Sequence, residues 1–162
     1  MKHKFILAFG MLSALIALKP AFSCYRVDDF LISFHGQACF KPYKAYVYKI
    51  CDNITVNINH KKSIYIPVDF ETDLATIPQC LWPILAPTHS LIISPSILHD
   101  YLYTCPSGFN RRQVDMIFYN ALVKNGLSPL RAYEMYLAVR MFGGSHFAKG
   151  PASFICKKYA TH

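Results

Sequence analysis

The sequence predicts an α+β domain: an N-terminal antiparallel β-meander of about four strands followed by a bundle of about three helices. Three observations predict it. Residues 25–68 alternate in the manner of strands, are rich in Ile, Val, Tyr and Phe, and are cut by turn signals. From Leu91 onward apolar residues recur at helical spacing between serine–proline starts and glycine stops. The chain of 162 residues leaves, after an export leader, enough polypeptide for one core of its own.

Residues 1–23 read as that leader. Met1-Lys2-His3-Lys4 is a basic start, Phe5–Leu18 is an apolar run of 14 residues, and Ala21 and Ser23 place small residues at positions −3 and −1 before Cys24. The run is too short and wrongly flanked to span a bilayer, and no later stretch predicts a transmembrane segment. The expected domain is therefore residues 24–162, secreted or periplasmic. Cys24 raises lipid attachment, which Phe22 beside it disfavours. Removing Lys2, Lys4 and Lys19 lowers the formal charge of +8 by three, leaving a moderately basic chain. That balance suits an anionic membrane or cell-wall surface as partner, or plain solubility. No basic run with interleaved aromatics is evident, which argues against nucleic acid.

The expected strands are Val27–Phe34, Ala45–Ile50, Ile54–Ile58 and Ile64–Val68. His35-Gly36, Lys41-Pro42, Asp52-Asn53 and Asn59-His60-Lys61-Lys62 supply the turns between them. Lys44, Lys49, Lys61 and Lys62 are expected to face water. All six cysteines, Cys24, Cys39, Cys51, Cys80, Cys105 and Cys156, follow the leader. An even count in an exported chain suggests up to three disulfides, with the pairing left open. No C-x-x-C occurs, and no cysteine has a histidine at metal-ligand spacing, which argues against a zinc site built on cysteine.

Phe70–Pro87 carries few secondary-structure signals, three prolines and the acids Glu71 and Asp73. Thr72 or Asp73 could cap a turn here, or Asp73 could reach a site formed later in the chain. The first helix is expected from about Pro95 to Thr104, with Ser94 as N-cap and Pro95 at the first helical position. Arg111–Asn125 forms the second helix and ends at Gly126. Ser128-Pro129 opens the third, which stops at Gly143-Gly144. Ser145 to His162 is expected to be irregular, tied back through Cys156.

The candidate site lies on the first two of these helices. His99 and Tyr103, four residues apart, share a face, while Asp100 is rotated about 100° away. A short loop makes the next helix antiparallel, so Asp115 can face His99, and a carboxylate behind a histidine fixes its tautomer and raises its basicity. Arg111 and Arg112 could grip an anion, but read more simply as salt-bridge partners of Asp100 or Asp115, and Arg140 reads as a structural partner. His89 and His146 fall in loops with no assignable partner.

Ile66-Pro67-x-x-Phe70-x-Thr72-Asp73-Leu74-Ala75-Thr76-Ile77-Pro78, Leu98-His99-Asp100-Tyr101-Leu102-Tyr103, Arg112-x-x-Asp115-x-x-Phe118 and Met135-Tyr136-x-Ala138-Val139-Arg140-x-Phe142-Gly143 together resemble the DUF1353 family. That family is a domain of unknown function, often phage- or prophage-encoded, and the likeness spans roughly residues 60–145. The leader and the cysteines depart from its usual members and imply a version adapted to an oxidising compartment. A local pattern, His99-Asp100-x-x-Tyr103 followed by Asp115-x-x-Phe118, is similar to the catalytic helix pair of secreted phospholipases A2. That likeness implies that His99 activates a water, Asp100 holds calcium, and Asp115 and Tyr103 orient the site. The glycine-rich calcium loop of those enzymes is absent, and Thr72–Pro78 would have to replace it. Their paired cysteines are partly echoed by Cys80 and Cys105.

Two functions follow as expectations. One is a metal-assisted hydrolase of an envelope ester, amide or phosphodiester. In it His99 is base or ligand, Asp115 and Tyr103 orient the site, and Asp100 and Asp73 hold a divalent metal, calcium or zinc. The other is a non-enzymatic envelope or phage-derived interaction module in which the same residues form a structural network. A hydrolase needs His99 on the wall of an open cleft with the Asp73 loop nearby; a structural network is closed and fully paired.

Overall fold

Alternation of buried and exposed side chains builds two small sheets on which three helices pack. The computed structural model describes residues 30–36, 38–45, 47–74, 90–105, 107–147 and 156. Among these, β1 (Ile32–His35), β4 (Ile54–Ile58) and β5 (Lys62–Ile66) form an antiparallel sheet in the order β1-β4-β5. A second antiparallel sheet holds β2 (Phe40–Lys44), β3 (Val47–Ile50) and β6 (Glu71–Thr72) in the order β2-β3-β6. The architecture is the expected α+β layout, an N-terminal antiparallel β region followed by helices.

The strand region differs from a single four-stranded meander. Lys41-Pro42 was expected to turn, yet Pro42 lies within β2. β2 is an edge strand, so the N–H that proline lacks need not be one the sheet requires. β1 pairs with β4 and not with its neighbour in sequence. The expected turn at Asn59-His60 is real: both residues adopt left-handed backbone, φ 54° and 53°. Asn59 then holds β1 in place, its Oδ1 accepting from the Leu31 N–H at 2.8 Å. Glu71-Thr72, inside a segment with few signals, closes the second sheet by pairing with Lys49 and Tyr48.

The helices are α1 (Ser90–Thr104), α2 (Arg111–Lys124) and α3 (Pro129–Phe142), the last running into a 3₁₀ turn at Gly143–Ser145. Ser128 caps α3 as expected, accepting from the Arg131 N–H at 3.4 Å. Ser94 does not cap α1. The helix starts four residues earlier, and Pro95 lies inside it. A proline there cannot donate to the Leu91 carbonyl; the Asn125 side-chain amide does so instead, at 3.1 Å. α2 opens on a reciprocal cap, Gln113 N–H to Asn110 Oδ1 at 3.0 Å and Asn110 N–H to Gln113 Oε1 at 2.9 Å.

One core lies between the sheets and α1 and α2, around Ile50, Val56, Ile66, Phe70, Leu98 and Ile117. A smaller one joins the three helices through Ile92, Phe118, Leu122, Ala132 and Met135. Disulfides link Cys39 to Cys51 and Cys105 to Cys156. The second ties the tail to the end of α1, in keeping with the role expected of Cys156. Lys62, expected to face water, donates to the Ser107 carbonyl and lies over the Phe109 ring. The leader 1–23, Cys24, Cys80 and His89 lie outside the described residues. No helix among the described residues is long and apolar enough to cross a membrane.

Candidate functional site

His99 and Tyr103 stand four positions apart on α1, and the two rings meet at 4.1 Å between centroids. The Phe118 ring of α2 also lies against His99, 4.7 Å between centroids. These contacts fix the imidazole plane. Its Nε2 lies 3.1 Å from Asp115 Oδ1, so the short α1–α2 connection does bring the two residues together. Tyr103 donates its hydroxyl to the same oxygen at 2.6 Å.

Asp115 is completely buried. Its second oxygen faces Arg140 Nη1 at 2.7 Å and Arg111 Nε at 3.9 Å. Arg111 also donates through Nη2 to the carbonyls of Val139 at 2.9 Å and Arg140 at 2.6 Å, capping the C-terminal end of α3. Its Nε reaches the Tyr103 hydroxyl at 3.2 Å. The glycine pair after α3 makes room for this. A Cβ on Gly143 would lie 3.0 Å from the Tyr103 hydroxyl, and one on Gly144 would lie 3.1 Å from Arg111 Nη1.

Asp100 faces the other way, as its rotation on the helix requires. Thr72 of β6 donates its hydroxyl to Asp100 Oδ2, and Thr72 Oγ1 accepts from the Leu74 N–H at 3.0 Å. Asp100 Oδ1 lies 3.9 Å from His99 Nδ1, an ion-pair distance too long for a hydrogen bond. His99 therefore sits between two carboxylates. Burial works against its charged form, but Asp100 and Asp115 outweigh burial and hold its pKa above the ordinary histidine value. Burial likewise works against the Asp115 anion, yet its bonds to His99, Tyr103 and Arg140 keep that carboxyl below the usual range. Burial, reinforced by Asp115, raises the Tyr103 phenol well above its usual value, so it remains a donor.

A partly open cavity of about 260 Å³ adjoins this group. Its walls include His99, Asp100, Tyr103 and Thr104 of α1, Glu71, Thr72 and Asp73 at β6, Val47, and Val139, Gly143 and His146 beyond the far end of α3. With Nε2 held by buried Asp115, Nδ1 faces Asp100, a neighbouring residue of the cavity wall. All five candidate residues read from the sequence, His99, Asp100, Tyr103, Asp115 and Asp73, lie at this site. Thr72 as the partner of Asp100 and Glu71 and His146 as wall residues were not foreseen. Their sequence signals are weak, because a short strand and a loop after a helix put them there.

Asp73 and Asp100 share the cavity wall, as a metal site would need. Among the described residues, however, no three His, Cys, Asp or Glu side chains are grouped to hold a metal ion. One Asp100 oxygen is already taken by Thr72. Among the described residues, then, Asp73 and Asp100 have no third ligand grouped with them to complete a metal site.

No curated protein and no solved structure matches the chain. A family model described as a protein of unknown function, DUF1353, matches residues 48–139. The match runs from β3 to the last turns of α3 and takes in His99, Asp100, Tyr103, Asp115, Thr72 and Asp73. It covers more than half of the sequence, and the chain belongs to the DUF1353 family.

Proposed function

We propose that this chain is an exported hydrolase of an envelope ester, amide or phosphodiester, with His99 as its acid–base group. One observation carries the reading: an imidazole clamped by two rings and anchored through Nε2 to a buried carboxylate lies on the wall of a partly open cavity. A side chain held so firmly, with its other nitrogen facing Asp100 on the cavity wall, is preorganised for proton transfer. Water held at Nδ1 gives up its proton as it attacks the scissile bond, and the imidazolium returns that proton to the leaving group. Asp115 and Tyr103 position the ring, and Arg140 keeps Asp115 ionised. The apolar leader and the two disulfides support export.

A second reading has its own observation. Both Asp115 oxygens are occupied by partners within the protein, and Ser96 Oγ alone is left unpaired among the buried side-chain polar atoms described. That closure is what a structural network in a non-enzymatic envelope or phage-derived module requires.

The test is turnover of three chromogenic substrates, an ester, an amide and a phosphodiester, by the wild type and by His99→Gln. The hydrolase reading expects one substrate to be turned over, and the variant, still folded by circular dichroism, to lose at least about 100-fold in rate. No turnover by folded wild type, together with a lower melting temperature for His99→Gln, favours the network reading and ends the hydrolase one.

A further inference from the structure

We propose that the outer face of the β2-β3-β6 sheet docks on an anionic lipid surface. This inference is independent of the hydrolase reading. It starts from the register. Lys41 pairs with Lys49 and Pro42 with Tyr48, but Lys44 pairs with Val47, so Tyr43 is an extra residue in β2. In a regular strand Lys41 and Lys44, three apart, point to opposite faces. The extra residue brings both to one side. Lys49 lies directly opposite Lys41, and Val47, two residues from Lys49, shares its face. On the opposite side Ile50 and Thr72 are buried, and Pro42 at the sheet edge is exposed.

The register thus places three lysines on one sheet face. Lys49 Nζ lies 3.9 Å and Lys44 Nζ 4.6 Å from the centre of the Tyr43 ring. Like charges directly opposite each other on adjacent strands destabilise a sheet. The three strands contribute a single acid, Glu71, paired with Lys49 across β3 and β6. It offsets one lysine of three. An anionic partner would supply the countercharge that the strands themselves do not.

The Tyr43 ring favours a bilayer over a dissolved polyanion. It is 45% exposed at an edge strand and flanked by two ammonium groups. An amphipathic ring beside lysines is the arrangement that settles at the headgroup level, where charge alone would serve a soluble polymer. The face also leads to the cavity, since Val47 and Glu71 lie on it and line the cavity wall. A docked membrane would sit beside His99.

The test is co-sedimentation of the full chain with vesicles of phosphatidylcholine alone or mixed with phosphatidylglycerol. The readout is the part of the phosphatidylglycerol increment that the lysine substitutions remove, so binding of the basic, apolar leader, which every variant shares, cancels. Salt-sensitive binding to the anionic vesicles is expected, falling about 25-fold in Lys41→Gln/Lys49→Gln, at roughly fivefold per lysine. Lys41→Arg/Lys49→Arg restores it, Tyr43→Ala weakens it, and His99→Gln leaves it unchanged whether or not His99 is catalytic. Absence of the increment in wild type overturns the proposal. So does an increment that survives the glutamine variant while its circular dichroism is native. Equal, lysine-dependent binding to a DNA duplex that Tyr43→Ala does not alter makes the face a general polyanion site and also overturns it.

Discussion

His99 is the residue on which the site turns, and its charge is set by competition. Burial favours the neutral ring, while the two carboxylates favour the imidazolium and prevail. Because its folded pKa is raised, the stability His99 contributes is complete below the ordinary histidine value of 6.5 and fades as pH rises through the higher folded value. Asp115 is lowered, so its contribution is complete above the ordinary 3.8 and fades as pH falls through the depressed value. The network thus stabilises the fold most between those two pH values. The melting-temperature difference between wild type and His99→Gln should be largest near about pH 5–6 and shrink steadily above about pH 7. Thermal unfolding across a pH series checks this, and a difference that grows with pH would reverse the assignment of charge. The His99–Asp115 contact was legible because helical periodicity and a short loop constrain it. Thr72 and Arg140 were not legible as direct partners of Asp100 and Asp115, since each arrives from an element whose position only packing decides.

At the level of elements, two identical dipeptides had different fates. Ser128-Pro129 starts α3, as its local chemistry predicts. Ser94-Pro95 has the same chemistry and lies within α1. The difference is Asn125, 34 residues beyond Leu91, whose amide replaces the donor that Pro95 removes. A local rule failed because a distant side chain met its cost. The exchange predicts a coupling. Asn125→Ala should destabilise the protein by about 0.5–1.5 kcal/mol, since it removes the amide donor to the Leu91 carbonyl. In a Pro95→Ala background, the new N–H at position 95 can bond Leu91, and the same substitution should cost clearly less. Urea unfolding of the four variants measures the interaction. Additive costs would show that the Asn125 amide does not stand in for the N–H that Pro95 lacks.

For the whole molecule, strand existence was more legible than strand pairing. Ile54–Ile58 is visible from alternation alone, but nothing local says that it sits between β1 and β5 while β3 joins β2 and β6. Proline on an edge and a two-residue strand are tolerated only because other chain segments complete the sheets. The disulfides join parts that the topology already brings close. Cys51 N–H donates to the Cys39 carbonyl at 2.9 Å, so that bridge extends an existing ladder. The two bridges span 12 and 51 residues. If their main effect is to restrict the unfolded chain, the loop-closure relation gives about 3 kcal/mol for the shorter and about 4 kcal/mol for the longer. Cys105→Ser/Cys156→Ser should therefore destabilise by about 1 kcal/mol more than Cys39→Ser/Cys51→Ser in urea unfolding. Cys105 follows directly on Thr104, a wall residue of the cavity, so loss of the longer bridge also releases the end of α1 beside the site. The reverse order of costs would mean that strand contacts in the folded state, and not the length of chain enclosed, decide what each bridge contributes.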